Sequence, residues 1–253
     1  MNQSQHENDV IKKMSSLPPQ RHSNVKLLCH FDQSLEDSSI YNREPITWGL
    51  DTDIGYYTGT DLSAFDYAVA TRGNYNDISP RARHSNYIAY DISDVNLSGT
   101  FCIDYWFRNV GSYGHWPMFL LPDNIDIKDK SLALNDFSHL ANYSDANGGF
   151  YTYDPSTDTR QYYKVGRDAK IHHIAVTRDT DNTIRWFKDG VLQVAYSANS
   201  FDFTSKYILV SYTYSDSFSA RANIDELRIV VGCPCYTTNF TPRTTPYTTL
   251  DVR

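Results

Sequence analysis

The stretch KIHHIAVTRDTDNTIRWFKDGVLQVAYS, residues 170–197, contains three runs of β-branched and aromatic residues separated by two short polar turns. Asp179 to Asn182 form the first turn, and Asp189-Gly190 supplies the positive φ angles that a two-residue hairpin requires. Runs of this length with turn residues between them are typical of antiparallel strands. The stretch therefore predicts a three-stranded antiparallel meander.

Similar runs follow one another through most of the chain from Val25 onward. They share strand-forming residues and are flanked by Gly, Asp, Asn or Pro: VKLLCHF, SNYIAYD, TFCIDYWFR, WPMFLL, GGFYTYD, YILVSYTY and NIDELRIVV. Their number and spacing predict an all-β fold, a sandwich of two antiparallel sheets. Residues 49–85 lack such alternation and are rich in Gly, Asp, Asn and Tyr, so we expect them to form a loop-rich insertion on the surface.

Composition agrees with strands joined by many turns. The 253 residues include 26 Asp, only 4 Glu and 20 Tyr, and Asp favours turns whereas Tyr favours strands. The net charge is −7 and the basic residues are scattered, which argues against nucleic acid as a partner. No apolar run approaches the roughly 20 residues that a membrane span needs, and the opening residues lack a secretory signal, so we expect a protein assembled in the cytoplasm of its host.

The chain divides into three parts. Residues 1–24 are polar, mildly basic and end near Pro18-Pro19, and we interpret them as an extended N-terminal arm that anchors the protein. Residues 25–247 form the predicted sandwich domain, and residues 248–253 form a C-terminal tail.

Four segments carry a resemblance to a known family. They occur in the expected order: LLCHFDQSLEDSS at 27–39, NYIAYDISDVNLSGTFCIDYWFR at 86–108, the meander at 170–197, and IDELRIVVG followed by Tyr236 and NFTP at 239–242. Together they resemble the laminin-G-like, concanavalin-A-like jelly-roll domains found in many bacterial and bacteriophage virion proteins. The resemblance implies a two-sheet jelly-roll sandwich and places residues 25–247 inside it.

Two carboxylates are candidate metal ligands. Alternation along IDELRIVV puts Asp225 on the same face as Leu227 and Ile229, the apolar face, where a carboxylate needs a partner. In domains of the family that this chain resembles, a structural calcium ion often lies where the first and last strands meet, and Asp32 and Asp225 match those positions. The alternative is that Asp225 accepts backbone N–H bonds or pairs with an arginine.

The four cysteines carry no strong signal. Cys29 and Cys102 lie in apolar runs and are expected to pack in the core as small hydrophobic residues. Cys233 and Cys235 flank Pro234, where a mutual disulfide would be strained and a zinc ion would lack two further ligands. We therefore interpret this pair as part of an ordinary loop.

Function is predicted from the resemblance and from what the chain lacks. The main hypothesis is a non-enzymatic structural protein of a bacteriophage virion, a decoration of the head or tail that binds other virion proteins through residues 1–24. The alternative is an adhesin that binds host-surface glycan, with aromatic clusters such as GYYTG at 55–59 stacking on sugars, although no ligand-binding residue can be assigned. A carbohydrate-active enzyme ranks third, because the chain has no Glu-x-Asp-x-x-Glu run of the kind that retaining glycosidases carry on one strand.

Overall fold

The computed structural model describes residues 23–48, 54–58, 64–65, 67–71, 87–109, 116–121, 149–154, 159–164, 170–197, 205–212 and 222–251. The described residues form strands, turns and loops, with no helix among them. The same residues accordingly contain no helix that is long and apolar enough to cross a membrane. Most of the predicted arm, residues 1–22, lies outside the described residues.

Fourteen strands are described. In chain order they are β1 Val25–Cys29, β2 Ile46–Trp48, β3 Ile54–Thr58, β4 Tyr67–Thr71, β5 Tyr87–Asp91, β6 Phe101–Asn109, β7 Trp116–Leu121, β8 Gly149–Asp154, β9 Thr159–Lys164, β10 Ile171–Arg178, β11 Thr183–Lys188, β12 Val191–Ser197, β13 Tyr207–Tyr212 and β14 Ala222–Val231.

The strands form two main antiparallel sheets. The larger sheet has eight strands in the order β12-β11-β10-β6-β14-β4-β3, and β1 pairs with β14 beside β4. The smaller sheet has four strands in the order β2-β5-β13-β7, and β8 and β9 form a separate hairpin. The predicted all-β sandwich of antiparallel sheets is confirmed.

An apolar core lies between the two sheets. Alternate side chains of β6, β10, β11 and β14 meet alternate side chains of β5, β7 and β13, as the two-residue period of strands requires. The largest buried members of this core are Trp186, Tyr90, Tyr105, Phe31, Phe101 and Phe107. The core explains why the runs of the sequence alternate.

The predicted meander is present with both of its turns. Residues 171–178, 183–188 and 191–197 form three consecutive antiparallel strands. Asp189 and Gly190 have φ angles of 50° and 76°, as a two-residue hairpin turn of this kind requires.

Two strands lie within residues 49–85, which the sequence predicts to be surface loops. β3 and β4 form a hairpin that extends the larger sheet, and Val69 of β4 pairs with Ile224 of β14. Neither β3 nor β4 has a long apolar run. The position of this hairpin in the sheet therefore depends on pairing with β14, which is distant in the chain. This sheet position could not be inferred from local pattern.

A β-bulge interrupts β14 at Glu226. Asp225 pairs with Trp106 and Arg228 pairs with Asp104, so β14 has one residue more than β6 across this interval. Glu226 takes the left-handed conformation with φ of 53°. The bulge reverses the alternation, because Ile224 and Leu227 both contact the core between the sheets.

Asp225 therefore lies on the opposite face from Leu227, contrary to the simple alternation of the sequence. Its carboxylate is nevertheless buried, because other segments cover this outer face of the larger sheet.

The chain after β14 folds back over that outer face. The carbonyl of Tyr236 accepts a bond from Thr177 Oγ1 at 2.9 Å, and Phe240 N–H donates to the carbonyl of Gly190 at 2.9 Å. The rings of Tyr236 and Phe240 stack with centroids 3.7 Å apart. Residues 233–251, here called the closing segment, are thus an integral part of the domain.

Candidate functional site

Asp225 is a buried carboxylate with two backbone partners. Its Oδ2 accepts N–H bonds from Ala64 at 2.9 Å and Phe65 at 3.1 Å, in the segment that leads into β4. Its Oδ1 is buried and has no hydrogen-bond partner among the described residues. Burial, together with the negative charges of Glu226 and Asp32, raises the pKa of Asp225 to about 8, although the two N–H groups act in the opposite direction.

Asp32 lies close to Asp225 and binds the same segment. Its Oδ1 accepts the N–H of Tyr67 at 3.2 Å, and its charge acts on Asp225. The structure therefore brings together the two carboxylates that the sequence singled out.

A histidine and a glutamate extend this cluster. His30 Nδ1 lies 2.6 Å from Glu226 Oε1, and Glu226 Oε2 accepts the N–H of Tyr247 at 2.6 Å. The hydrogen bond to Glu226 raises the pKa of His30, which burial opposes. Glu226 thus joins the residue that follows β1 to the closing segment.

The residues present fit a calcium ion only in part. Asp225 Oδ1 is a buried oxygen available to a cation, and Asp32 lies near it. Calcium takes six to eight oxygen ligands, however, and the described residues contain no group of three or more His, Cys, Asp or Glu side chains arranged to hold a metal. A protonated Asp225 explains the same burial without an ion, so calcium at Asp32 and Asp225 stays a prediction.

Replacing Asp225 with asparagine should flatten the pH dependence of stability. A carboxyl whose pKa rises from 3.8 to about 8 on folding holds its proton more tightly in the native state. The stability from that proton is complete below pH 3.8 and is lost as the pH rises through about 8. We expect wild type to lose several kcal/mol across this window through this group, because each pKa unit corresponds to about 1.4 kcal/mol, and Asp225→Asn to lose none of that part.

Urea titrations between pH 5 and pH 8.5 measure this difference. Asp181→Asn serves as the matched control, because Asp181 is an exposed carboxylate in the turn between β10 and β11. If the free energy of unfolding changed with pH in the same way for wild type and Asp225→Asn, the raised pKa of Asp225 would be contradicted.

A second polar cluster is buried under the closing segment. The Asp104 carboxylate accepts hydrogen bonds from Arg228 Nε at 2.9 Å and from Arg228 Nη2 at 2.7 Å. Its Oδ2 also accepts hydrogen bonds from the hydroxyl groups of Tyr236 and Tyr247. Tyr247 OH lies 2.8 Å from His173 Nε2. Burial alone would raise the pKa of Asp104, but the Arg228 guanidinium holds it well below its ordinary value. This cluster is sealed from solvent and so holds the fold rather than a ligand.

A solvent-facing polar cavity lies in the loop between β1 and β2. Its volume is about 320 Å³, and it is lined by Ser34, Leu35, Glu36, Asn42, Arg43, Glu44 and Pro45. A volume of this size suits one or two small ring groups, and the lining offers both hydrogen-bond donors and acceptors.

The loop that forms this cavity is held in one conformation. The buried carboxylate of Asp37 accepts the N–H groups of Leu28, Ser39 and Arg43 at 2.9 to 3.0 Å. Asn42 has a φ of 45°, a conformation that asparagine tolerates better than most residues. The cavity is therefore preorganised.

Arg43 connects the cavity to the neighbouring strands. Its Nε donates to the carbonyl of Lys26 at 2.9 Å, and its Nη1 donates to the carbonyl of Asp91 and pairs with Asp94 at 2.8 Å. Its Nη2 is buried without a hydrogen-bond partner among the described residues. No sequence pattern indicated this cavity, since its lining residues form a loop without a ligand-binding motif.

Comparison with solved structures identifies the fold. The binding domain of botulinum neurotoxin DC in complex with SialylT matches with a TM-score of 0.58 and 14% identity, over 82% of this chain and 47% of that one. A second match is a structure of botulinum neurotoxin type C, whose description states that cell entry depends on interaction with two ganglioside molecules. Its TM-score is 0.57 and its identity is 15%, over 82% of this chain and 47% of that one. The neurotoxin DC binding domain in complex with rat synaptotagmin II matches with a TM-score of 0.57 and 13% identity, over 90% and 50%.

These likenesses concern the fold alone, because the identities are low. The chain spans about half the length of the binding domains that it matches. Neither the comparison with protein-family models nor that with curated proteins gives a match. The chain thus has the β-sandwich fold of domains described as binding domains.

Proposed function

We propose that this chain is a non-enzymatic glycan-recognition domain. The observation that carries the proposal is the sandwich fold, shared over 82% of the chain with toxin binding domains whose descriptions name SialylT and gangliosides as ligands. The alternative that the sequence left open, a glycan-binding adhesin, therefore has more support than the virion hypothesis. A catalytic role has no support from these matches, since the descriptions of the three matched structures name what they bind.

The cavity between β1 and β2 is the proposed sugar site. Sugars present rows of hydroxyl groups that both donate and accept hydrogen bonds, and the cavity offers carboxylate, amide and guanidinium groups from Glu36, Asn42, Arg43 and Glu44. Because the loop is already fixed by Asp37, little conformational entropy is lost on binding. These features favour a small polar ligand over an apolar one.

Two substitutions in the cavity should weaken glycan binding by about tenfold or more. Asn42→Gly removes an amide while keeping the positive φ angle, and Glu44→Gln removes a charge. A glycan array identifies the ligand of wild type, and titration calorimetry measures its affinity for each variant. The matched controls are Asn182→Gly, which also has a positive φ angle, and Asp181→Asn; both lie outside the cavity and should bind as wild type does.

An array without any bound glycan would refute the proposed function. If both cavity variants bound the glycan with wild-type affinity, the proposed function would stand but the cavity would not be the sugar site.

Display on a bacteriophage particle is the second candidate, and it is compatible with the first. It rests on the four segments that resemble phage-encoded jelly-roll domains, and it assigns residues 1–24 to binding other virion proteins in the host cytoplasm. Co-purification of the intact chain with particles, and its release when residues 1–24 are deleted, are the expected results. Particles that retain the shortened chain would refute the anchor.

Structural calcium at Asp32 and Asp225 also remains a proposal. If it binds, the melting temperature of wild type should fall in chelator, whereas that of Asp225→Asn should not change. An unchanged wild-type melting temperature would refute it.

A further inference from the structure

Three of the four cysteines lie together, although their positions in the sequence do not suggest it. Cys233 and Cys235 pack against the buried apolar cluster that contains Cys102, Val230 and Tyr247. Cys102 lies on β6, on the outer face of the larger sheet, where it pairs with Val230 and Thr177. The sequence interpretation of Cys233 and Cys235 as part of an ordinary loop gave no indication that Cys102 lies in the cluster beneath them.

Backbone contacts on both sides hold the Cys-Pro-Cys turn over Cys102. Before the turn, Gly232 N–H donates to the carbonyl of Thr100 at 2.8 Å. After it, the carbonyl of Tyr236 accepts Thr177 Oγ1 at 2.9 Å. Within it, Cys235 N–H donates to Cys233 Sγ at 3.3 Å, and Cys235 takes a φ of 50°. The turn thus holds Cys235 against the cluster that contains Cys102 before any covalent bond forms.

We propose that Cys102 and Cys235 form a disulfide under oxidising conditions and so attach the closing segment covalently to β6. The oxidant is a low-molecular-weight disulfide such as oxidised glutathione. The two protein thiols lose two protons and two electrons, the new S–S bond forms, and the glutathione disulfide is reduced to two glutathione thiols.

Cys233 provides the route to this bond. It is the most accessible of the three sulfurs, since Cys102 is fully buried and Cys235 is largely covered. Cys233 displaces one glutathione and carries the other as a mixed disulfide, which Cys235 attacks with release of the second glutathione. Cys102 then attacks Cys235, and Cys233 leaves as a thiol. The rigid Pro234 strains the intermediate Cys233–Cys235 ring and favours the final exchange.

The thiols of Cys102 and Cys235 stay protonated at neutral pH. The hydrogen bond to Cys102 and burial raise the pKa of Cys235, and burial raises the pKa of Cys102. Because the thiolate is the attacking species, we expect the disulfide to form slowly at pH 7 and faster at pH 9.

Peptide mapping of the folded wild-type chain tests the proposal directly. The protein is incubated with oxidised glutathione at pH 8.5, alkylated without reduction, digested and analysed by mass spectrometry. We expect a linked peptide pair containing Cys102 and Cys235, with Cys29 and Cys233 alkylated. The melting temperature should rise by about 5 to 10 °C, because the bond closes a loop of about 130 residues, and should return to its initial value in reductant.

Variants separate the roles of the sulfurs. Cys233→Ser should give the same linked pair more slowly, Cys102→Ala should abolish it together with the thermal shift, and Cys29→Ser is the matched control with wild-type behaviour. A folded wild-type protein that forms no Cys102–Cys235 link, or whose only link joins Cys233 to Cys235, would overturn the proposal.

Discussion

Replacing Arg228 with methionine should lower the free energy of unfolding by about 3–5 kcal/mol at pH 7. Arg228 and Asp104 are both fully buried, and their bonds at 2.9 and 2.7 Å form a bidentate pair. Methionine fills much of the same volume but leaves the Asp104 carboxylate in an apolar setting without its cation. The hydroxyls of Tyr236 and Tyr247 remain as partners, yet neither supplies positive charge.

The contribution of Asp104 to the pH dependence of stability should change sign in this variant. In wild type the pKa of Asp104 lies below its ordinary value of 3.8, so its contribution is complete above that value and is lost as the pH falls further. Without Arg228 the buried carboxyl has a raised pKa, so the variant should regain stability as the pH falls from 7 towards 4.

Arg185→Met is the matched control for Arg228→Met. Arg185 bonds to Asp179 at 3.1 Å in a turn that is partly open to solvent, and its removal should cost no more than about 1 kcal/mol. Urea unfolding at pH 4, 5.5 and 7 measures the free energy of unfolding of wild type, Arg228→Met and Arg185→Met. Equal losses for the two arginine variants would mean that the buried pair contributes no more than a surface pair.

Alternation and turn residues were sufficient to predict the sheets. The Asp189-Gly190 turn, the three strands around it and the β14 run were read directly from local sequence, because each depends on residues within about ten positions. The β3–β4 hairpin was missed, since Val69 meets β14 only after a long segment of chain has folded. The bulge at Glu226 was missed for the same reason: its φ of 53° depends on strands that pair on both sides of β14.

The candidate sites likewise include features that local sequence predicts and contacts that it does not. Asp225 was recognised as a carboxylate in need of a partner, and the actual partners, the N–H groups of Ala64 and Phe65, are the kind that one of the two alternatives proposed. The pair of Asp104 with Arg228, and the packing of Cys235 against the cluster that contains Cys102, join residues more than 120 positions apart, and nothing in their local sequence marks them. Such contacts are set by strand order, which a single sequence does not specify.

Replacing Gly190 with alanine should lower the free energy of unfolding by about 3–4 kcal/mol. A Cβ atom at this position would lie 1.8 Å from the backbone carbonyl oxygen of Phe240, and Gly190 has a φ of 76°. The clash cannot be relieved by rotating a side chain, because the obstacle is backbone. Either the hairpin or the closing segment must move, and the second response breaks the bond from Phe240 N–H and the stacking of Phe240 on Tyr236.

Two other glycines separate the clash from the backbone conformation. Gly232 has a φ of 77°, but a Cβ there would make only an ordinary contact with Asn24 Nδ2 at 3.6 Å, so Gly232→Ala should cost about 1 kcal/mol through backbone strain alone. Gly99 has open space around it, and Gly99→Ala should be neutral within about 0.5 kcal/mol. Hydrogen exchange at the Phe240 amide should accelerate in Gly190→Ala and stay slow in Gly232→Ala. If the Gly190 and Gly232 variants lost equal stability and kept equal protection, the closing segment would not be packed against the hairpin, and the covered outer face on which both buried clusters depend would not exist in solution.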